Sequence, residues 1–502
     1  MPLTHLVKLI LSASILVLVS ACGGSNDSPQ TEPGPETPIT APSNTPPVLT
    51  LPVAFLSLIS GNSTTIELNT ADADNDPLTL TVQSQTFLQA EIVQNQLILT
   101  AAEVTSEHNY QLSINLSDGN VSVEQILLVT LLPLEEDLLS LPDSPFNYAN
   151  IVLPLHYTQN AFPVNFQFQS ADIEADNTPI NNPITNHAAT LGRVLFYDTK
   201  LSQNDSVSCA SCHIQAEGFS DSRRLSVGFN GEETRRHSMS LANARFYQTG
   251  KFFWDERAAT LEQQVLMPIQ DDVEMGLTLN ELVQVVSAQP YYAALFNNAF
   301  GDTIVSSERI GMALAQFVRA MISIDSKYDR GRAAADSPLD NFDNFTANEN
   351  AGKHLFMRFR DGIPPCSSCH SSEAFIGPVI AAGSNATTSA SNNGLDSNSD
   401  SDQGVFEATG LAGHRGKFKS PSLKNIALTA PYMHDGRFDT LSQVVEHYSN
   451  GIADHPTLQA LLRDADGNPV QYNFNSTEQS QLIAFLATLT DESLVNDEKF
   501  SY

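Results

Sequence analysis

Two short segments constrain this chain more than anything else in it: Cys209-Ala-Ser-Cys212-His213 and Cys366-Ser-Ser-Cys369-His370, which begin 157 positions apart. Two thiols separated by two residues and followed at once by histidine form the attachment signature of c-type haem. The thiols add across the haem vinyl groups, and the adjacent imidazole is thereby placed to ligate iron from one face. Zinc and thioredoxin-type redox chemistry also use Cys-x-x-Cys. Zinc needs a set of four ligands, and a thioredoxin-type pair has no use for the following histidine. The expectation is therefore two covalently bound haem c groups, held by Cys209, Cys212, Cys366 and Cys369, with His213 and His370 on the irons. The separation leaves room for one small helical domain around each. The chain has five cysteines in 502 residues, too few for a disulfide scaffold, and the fifth, Cys22, lies close to the N-terminus.

That end reads as an export signal. Lys8 supplies a positive charge, residues 9–19 are apolar, and the segment closes on Val19-Ser20-Ala21-Cys22. The apolar stretch is too short to span a bilayer but suits a signal-peptide core. Small residues ahead of a cysteine resemble the bacterial lipoprotein signal, in which Cys22 is lipidated. An ordinary secretory signal with an incidental cysteine is the alternative. Gly23 resembles lipoproteins sorted to the outer membrane. Both readings put the mature protein outside the cytoplasm, where c-type haem is attached, on the periplasmic side of the envelope.

Residues 23–47 are rich in Pro, Ser, Thr and Gly and read as an extended tether reaching ~75 Å at ~3.1 Å per residue. Over residues 48–134 the pattern changes to short alternating strands. Leu78, Leu80 and Val82 face opposite to Thr79 and Thr81, Leu112, Ile114 and Leu116 repeat the alternation, and residues 121–131 supply a last strand. Period-two runs between Gly, Asn and Asp turns indicate a small β-sandwich. Asp72-Ala-Asp74-Asn75-Asp76-Pro77 and Asp118-Gly119 resemble bacterial cadherin-like domains. The clustered acids suit calcium or a solvated turn. From about Asn147 the periodicity is helical. Thr278 and Glu281 form a capping-box pattern, and Ile310, Leu314, Phe317 and Met321 mark an amphipathic helix after Ser306 or Ser307. Residues 381–402 read as an exposed loop, and Asp396, Asn398, Asp400 and Asp402 alternate like a calcium loop, with Ser401 where glycine is needed. The fold class is thus mainly α, two cytochrome c-like domains over 147–345 and 346–495, with the β-sandwich in front.

The formal net charge of -32, from 57 acidic and 25 basic side chains, excludes nucleic acid as a partner, since phosphate binding needs a basic patch. A soluble redox partner would be steered to such a surface by a basic patch of its own.

Several segments, in order, resemble the bacterial di-haem cytochrome c peroxidases and their relative MauG. They are Leu191-Gly-Arg-Val-Leu-Phe196-Tyr-Asp198 running through Leu201 to the first haem motif; Phe253-Trp254-Asp255-Glu256-Arg257-Ala258 followed by Gln264, Pro268, Glu274 and Met275; and Phe418-Lys419-Ser-Pro421-Ser-Leu423-Lys-Asn425 leading into Thr429-Ala-Pro431-Tyr432-Met433-His434-Asp435-Gly436. The resemblance covers about 350 residues. It implies that the haem on His213 is the peroxide site and the haem on His370 an electron relay. The family's distal glutamine and glutamate fall on Gln264 and Glu274, with Pro268 between them. A carboxylate in a haem pocket can take the proton from the inner peroxide oxygen and return it to the leaving one, which makes Glu274 the acid–base candidate. Trp254, the one tryptophan in the chain, stands where the family relays electrons between the haems. Asn243, Thr429 and Pro431 match positions that hold a calcium ion with waters between the haems. Some relatives close the peroxide site at rest with a histidine in a Gly-His segment; Gly228-Phe229 stands there, although His237 is near enough to fill that role from a shifted position.

Thr440 and Gln443 form another capping box, and Leu441, Val444, Val445 and Tyr448 share one helical face. Peroxidases of this family place a methionine iron ligand at that point, and MauG a tyrosine. Tyr448 is the expected ligand, with Met433 as its rival. An anionic oxygen lowers the haem potential where a thioether raises it. Lys424 stands where relatives carry arginine near the second haem. The resemblance implies reduction of hydrogen peroxide to water with electrons from a small periplasmic cytochrome c or cupredoxin. The alternatives are MauG-like use of peroxide to modify a partner protein, and a non-catalytic electron-transfer lipoprotein with both haems closed.

Overall fold

Strict alternation of apolar and polar residues is what builds the first folded part. The computed structural model describes residues 44–104, 108–132, 141–142, 144–159, 172–377 and 388–502; the expected signal segment with Cys22 and most of the expected tether lie outside them. The strands are β1 Val48–Thr50, β2 Phe55–Ile59, β3 Ser63–Glu67, β4 Asn69–Ala71, β5 Thr79–Val82, β6 Leu88–Val93, β7 Gln96–Ala101, β8 His108–Ser117 and β9 Ser122–Leu132. They form a four-stranded sheet ordered β2-β9-β8-β5 and a three-stranded sheet ordered β3-β7-β6, with β1 paired to β4. All these pairs are antiparallel except β2 with β9. Inward residues of both sheets, among them Leu58, Leu97, Leu99, Leu112, Ile114 and Leu116, share one fully buried core. The sandwich rests on the helical part through β2, where the Ser57 hydroxyl donates to the Ser287 carbonyl.

Among the described residues the longer helices are α1 Asn186–Tyr197, α2 Leu279–Ala288, α3 Pro290–Phe300, α4 Ser307–Arg319, α5 Lys327–Ala333, α6 Ala347–Met357, α7 Leu441–Asn450 and α8 Ser476–Ala487. Their starts follow the capping chemistry: Thr278 with Glu281 for α2, Ser306 for α4 and Thr440 with Gln443 for α7. Ile310, Leu314, Phe317 and Met321 are at most 1% exposed. Pro46–Tyr502 forms one contact unit. Within it, one core gathers around α1 and α4 and a second around α6 and α8. Tyr328, Phe342 and Phe345 already belong to the second core, while Leu494 and Phe500 return to the first.

The two halves repeat one device. α1 crosses α4 at Gly192, where an added Cβ would come 2.1 Å from the Ala313 carbonyl oxygen and 2.8 Å from the Phe317 Cβ. α6 crosses α8 at Gly352, where it would come 1.9 Å from the Gln481 oxygen and 2.9 Å from the Phe485 Cβ. Only glycine admits backbones that close. The repeat extends to Phe252-Phe-Trp-Asp-Glu-Arg257 and Tyr432-Met-His-Asp-Gly-Arg437, each closed by one antiparallel bridge, Phe252 with Ala258 and Tyr432 with Phe438. The internal duplication is thus written in the sequence.

Candidate functional site

Ser208 caps the single helical turn Cys209–Cys212, and the second motif starts as the tight turn Cys366–Ser368. All four cysteines are unpaired. Cys209, Cys212 and His213 line a cavity of about 510 Å³, and Cys366, Cys369 and His370 line another of about 230 Å³. His213 Nδ1 lies 3.0 Å from the Phe219 carbonyl and His370 Nδ1 lies 3.2 Å from that of Phe375. Each Nδ1–H donates to its carbonyl, which leaves the Nε2 lone pair for a metal. Burial lowers the pKa of both imidazoles, that of His370 to about 4, so both stand in the neutral, ligating form. Phe219 and Phe375 take φ values of 62° and 55°, a left-handed region that a bulky side chain enters only at a cost. The same strain recurs in both halves because it aims a carbonyl at the histidine. Two thiols, an oriented imidazole and a largely apolar wall fit a c-type haem in each cavity.

Gln264, Pro268 and Glu274 all line the first cavity. Gln264 ends a turn capped by Thr260, and Pro268 sits in the next turn, Met267–Gln270. Burial pushes the Glu274 carboxyl up to about 7, helped by Asp271 and opposed by Arg257. The duplication explains Pro268. Thr260-Leu261 matches Thr440-Leu441, and counting on from there sets Pro268 against Tyr448. Where the second half presents a phenol oxygen, the first presents a side chain with no lone pair. Gly228-Phe229 is clamped on the Glu274 loop. Phe229 N–H donates to the Glu274 carbonyl, and a Cβ on Gly228 would fall 1.7 Å from the Val273 oxygen. His213 and His237 are the histidines on this cavity's described wall. His237 Nε2 is 3.2 Å from the Ser220 hydroxyl.

Residues 237–240 and Trp254 line both cavities and so form the partition between them. Trp254 Nε1–H donates to the His237 carbonyl at 2.8 Å, and the indole meets the His434 ring edge-on at 6.5 Å. Two backbone hydrogen bonds cross the seam in mirrored fashion, His237 N–H to His434 O and Lys419 N–H to Trp254 O, each 2.8 Å. Asn243 is fully buried at the same seam. Its Oδ1 accepts from Ser323 N–H at 2.9 Å, while Thr429 and Pro431 line the second cavity.

The second cavity holds residues that the sequence reading misplaced. The described part of the 381–402 segment is not simply an exposed loop: Ser391, Asn392, Asn393 and Leu395 form cavity wall. Asn393 Nδ2 donates to the Tyr448 hydroxyl at 3.2 Å and points at Met433 Sδ at 3.6 Å, so both rival ligands stand in this cavity. Burial pushes the Tyr448 phenol up to about 12, with the Asn393 hydrogen bond pulling the other way. Asparagines in a Ser/Asn-rich run look solvent-facing in sequence; only their through-space partners reveal the buried role. Lys424 does not face this cavity. It is buried with Nζ 2.6 Å from both Asp329 carboxylate oxygens. The calcium-loop pattern of residues 396–402 does not converge either, because Asp396 pairs with Arg437 and Asp402 with Arg236. In the sandwich, Asp72, Asp74 and Asp76 do converge, with ligand atoms within 4.8 Å, around an Asp72 that accepts the backbone N–H of Asp74 and Asp76.

Comparison with known proteins agrees with this geometry. A family profile described as di-haem cytochrome c peroxidase matches residues 186–337. The methylamine utilization protein MauG of Methylorubrum extorquens is 32% identical over 315 residues, covering 62% of this chain and 81% of the relative. The cytochrome c551 peroxidase of Nitrosomonas europaea is 30% identical over 330 residues, covering 65% of this chain and 88% of the relative. Among solved structures, a MauG-like protein associated with microbial copper homeostasis superposes with a TM-score of 0.56 at 33% identity, over 65% of this chain and 95% of that one.

Proposed function

The chain belongs to the di-haem cytochrome c peroxidase/MauG family, and from that premise we propose that this peroxide-acting oxidoreductase reduces hydrogen peroxide to water at the cavity of His213. When bound, the haems supply redox-active iron at each cavity. Glu274 takes the proton from the inner oxygen of peroxide and returns it to the leaving oxygen, so that water departs. A carboxyl near pH 7 suits both halves of that transfer. The Gln264 amide orients the peroxide by hydrogen bonding, and Pro268 offers no lone pair where the second half offers the Tyr448 hydroxyl, so it would not ligate a haem bound there. Trp254 carries electrons from the His370 side to the His213 side through the partition. The observation that carries the proposal is the meeting of Glu274, Gln264 and Pro268 on the wall that also bears His213. The test is steady-state peroxide consumption by the holoprotein with a reduced small cytochrome c or cupredoxin as donor. Turnover that collapses in Glu274→Gln supports it; equal turnover in that variant refutes it.

A second reading has an observation of its own, the Tyr448 hydroxyl in the second cavity. Were Tyr448 to hold the second haem through this oxygen, the ligand would favour storing oxidising equivalents over accepting electrons, as MauG-like modification of a partner protein requires. Peroxide without donor then yields a long-lived oxidised state that turns over only with the protein substrate. The closed electron-transfer alternative is disfavoured by Pro268.

We further propose export with a lipid on Cys22, which a diacylated Cys22 peptide in mass spectra of the membrane fraction tests. A calcium ion at Asn243, Thr429 and Pro431 is proposed on family resemblance, and metal analysis of the purified holoprotein tests it. A soluble donor is steered by charge: beyond Lys8, every lysine and arginine lies from Arg193 onward, so the sandwich is purely acidic and attracts a basic partner surface.

A further inference from the structure

Beside the first cavity four tyrosines stand together, with Tyr292 near Cys209 and Tyr291 near Tyr502. Tyr292, fully buried, belongs to the same core as Phe196 and Cys209, both of which line that cavity. Its ring centroid is 4.7 Å from that of Tyr291, its half-buried neighbour on α3. Both hydroxyls donate to one oxygen of Asp198, Tyr292 at 2.6 Å and Tyr291 at 3.0 Å. The first distance is that of a charge-assisted O–H···O⁻ bond. The other Asp198 oxygen accepts Lys200 N–H at 2.8 Å, which fixes the carboxylate. Beyond them Tyr197, next to Phe196, packs edge-on at 5.8 Å against Tyr502, which is 94% exposed. A core needing only aromatic bulk would be served by phenylalanine. Two phenols sharing one carboxylate meet a stricter chemical requirement, because a tyrosine loses an electron readily only when its proton has somewhere to go.

We propose that Tyr292 and Tyr291, with Asp198 as their common proton acceptor, form a second exit for oxidising equivalents, leading from the first haem cavity to the surface beside Tyr502. The inference rests on the reading that peroxide oxidises the haem on His213. An electron passes from Tyr292 to that oxidised centre, and the Tyr292 hydroxyl proton moves to the Asp198 carboxylate. An electron then passes from Tyr291 to the Tyr292 radical. The Asp198 proton returns to Tyr292 as the Tyr291 proton takes its place, so charge balances at each step. The Tyr291 radical is quenched at the surface by an external one-electron reductant, a phenol or a redox protein, which supplies the electron while Asp198 returns the proton. The route does not include Trp254 and needs no second haem.

The experiment uses the ferric holoprotein with both haems attached, mixed with one equivalent of hydrogen peroxide without donor and freeze-quenched for EPR. A nitroso spin trap followed by peptide mapping locates the radical. The expected result is a tyrosyl signal with adducts on the peptide carrying Tyr291. The surface adducts are lost in Tyr292→Phe and in Tyr291→Phe, whose visible spectra and rate of peroxide reaction match the parent. Asp198→Asn, which keeps the cap but removes the anion, slows appearance of the signal. Reaction with peroxide but no tyrosyl signal, or surface adducts unchanged in both phenylalanine variants, overturns this inference and leaves the peroxidase reading standing. No reaction of the parent with peroxide overturns both.

Discussion

Replacing Glu274 by glutamine keeps the side chain's size and removes its ability to exchange a proton. Burial raises its pKa from 4.5 to about 7, and two consequences follow with definite sign. If the carboxylate is the base, a group of that pKa is about one-tenth ionised at pH 6 and about nine-tenths at pH 8, so the second-order rate of the ferric holoprotein with peroxide rises roughly tenfold across that interval. Glu274→Gln lowers the rate by ~10²–10⁴ and abolishes the step near pH 7. The folded pKa also lies above the unfolded value, so the native state binds this proton more tightly. Its stabilising effect is complete below about pH 4.5 and is lost as pH rises through about 7. Glutamine removes the cost of a buried carboxylate, and Tm at pH 8 stays level or rises. Stopped-flow mixing over pH 5–9, with thermal melts at pH 5 and 8, reads both. A variant with the parental rate and pH step, or one whose lost rate accompanies a lower Tm at pH 8, refutes the assignment.

Pro268→His places an imidazole where the second half carries Tyr448; the first haem becomes six-coordinate and low-spin by EPR and no longer binds cyanide. Tyr448→Phe shifts the visible and EPR spectra of the second haem and raises its potential by titration, whereas unchanged spectra transfer the ligand role to Met433. Lys424→Met leaves the Asp329 carboxylate buried without its cation and costs roughly 3–5 kcal/mol in denaturant unfolding of the holoprotein. Lys424 and hydrogen bonds hold Asp329 down to about 2 against its burial. In the parent this stabilisation is present above the ordinary carboxyl pKa of 3.8 and is lost as pH falls through about 2; the variant's acid unfolding curve lacks that component.

Local chemistry was legible in the sequence. The capping boxes at Thr278 and Thr440, the buried stripe from Ile310 to Met321 and the alternating strands all depend on neighbours within a few positions, and all stand as read. The meeting of Gln264, Pro268 and Glu274 on one wall was foreseen only through family resemblance. What escaped depends on contacts far apart in the chain. Asn393 lies in a run that looks solvated, and its partner Tyr448 is on another element. Lys424 stands by resemblance where relatives carry arginine, and nothing local to it discloses its partner Asp329. The duplication was within reach: Gly192 and Gly352, and the paired segments at 252–257 and 432–437, recur in order, and aligning them sets Pro268 opposite Tyr448.

The proposed peroxide chemistry requires a first haem with a free face and a base poised beside it at rest. Mixing the as-purified ferric holoprotein with one equivalent of hydrogen peroxide, without any reductant, tests this most directly. The account predicts an immediate change in the Soret and visible bands, blocked by prior addition of cyanide. A ferric protein whose spectrum stays unchanged until one haem has been reduced contradicts it.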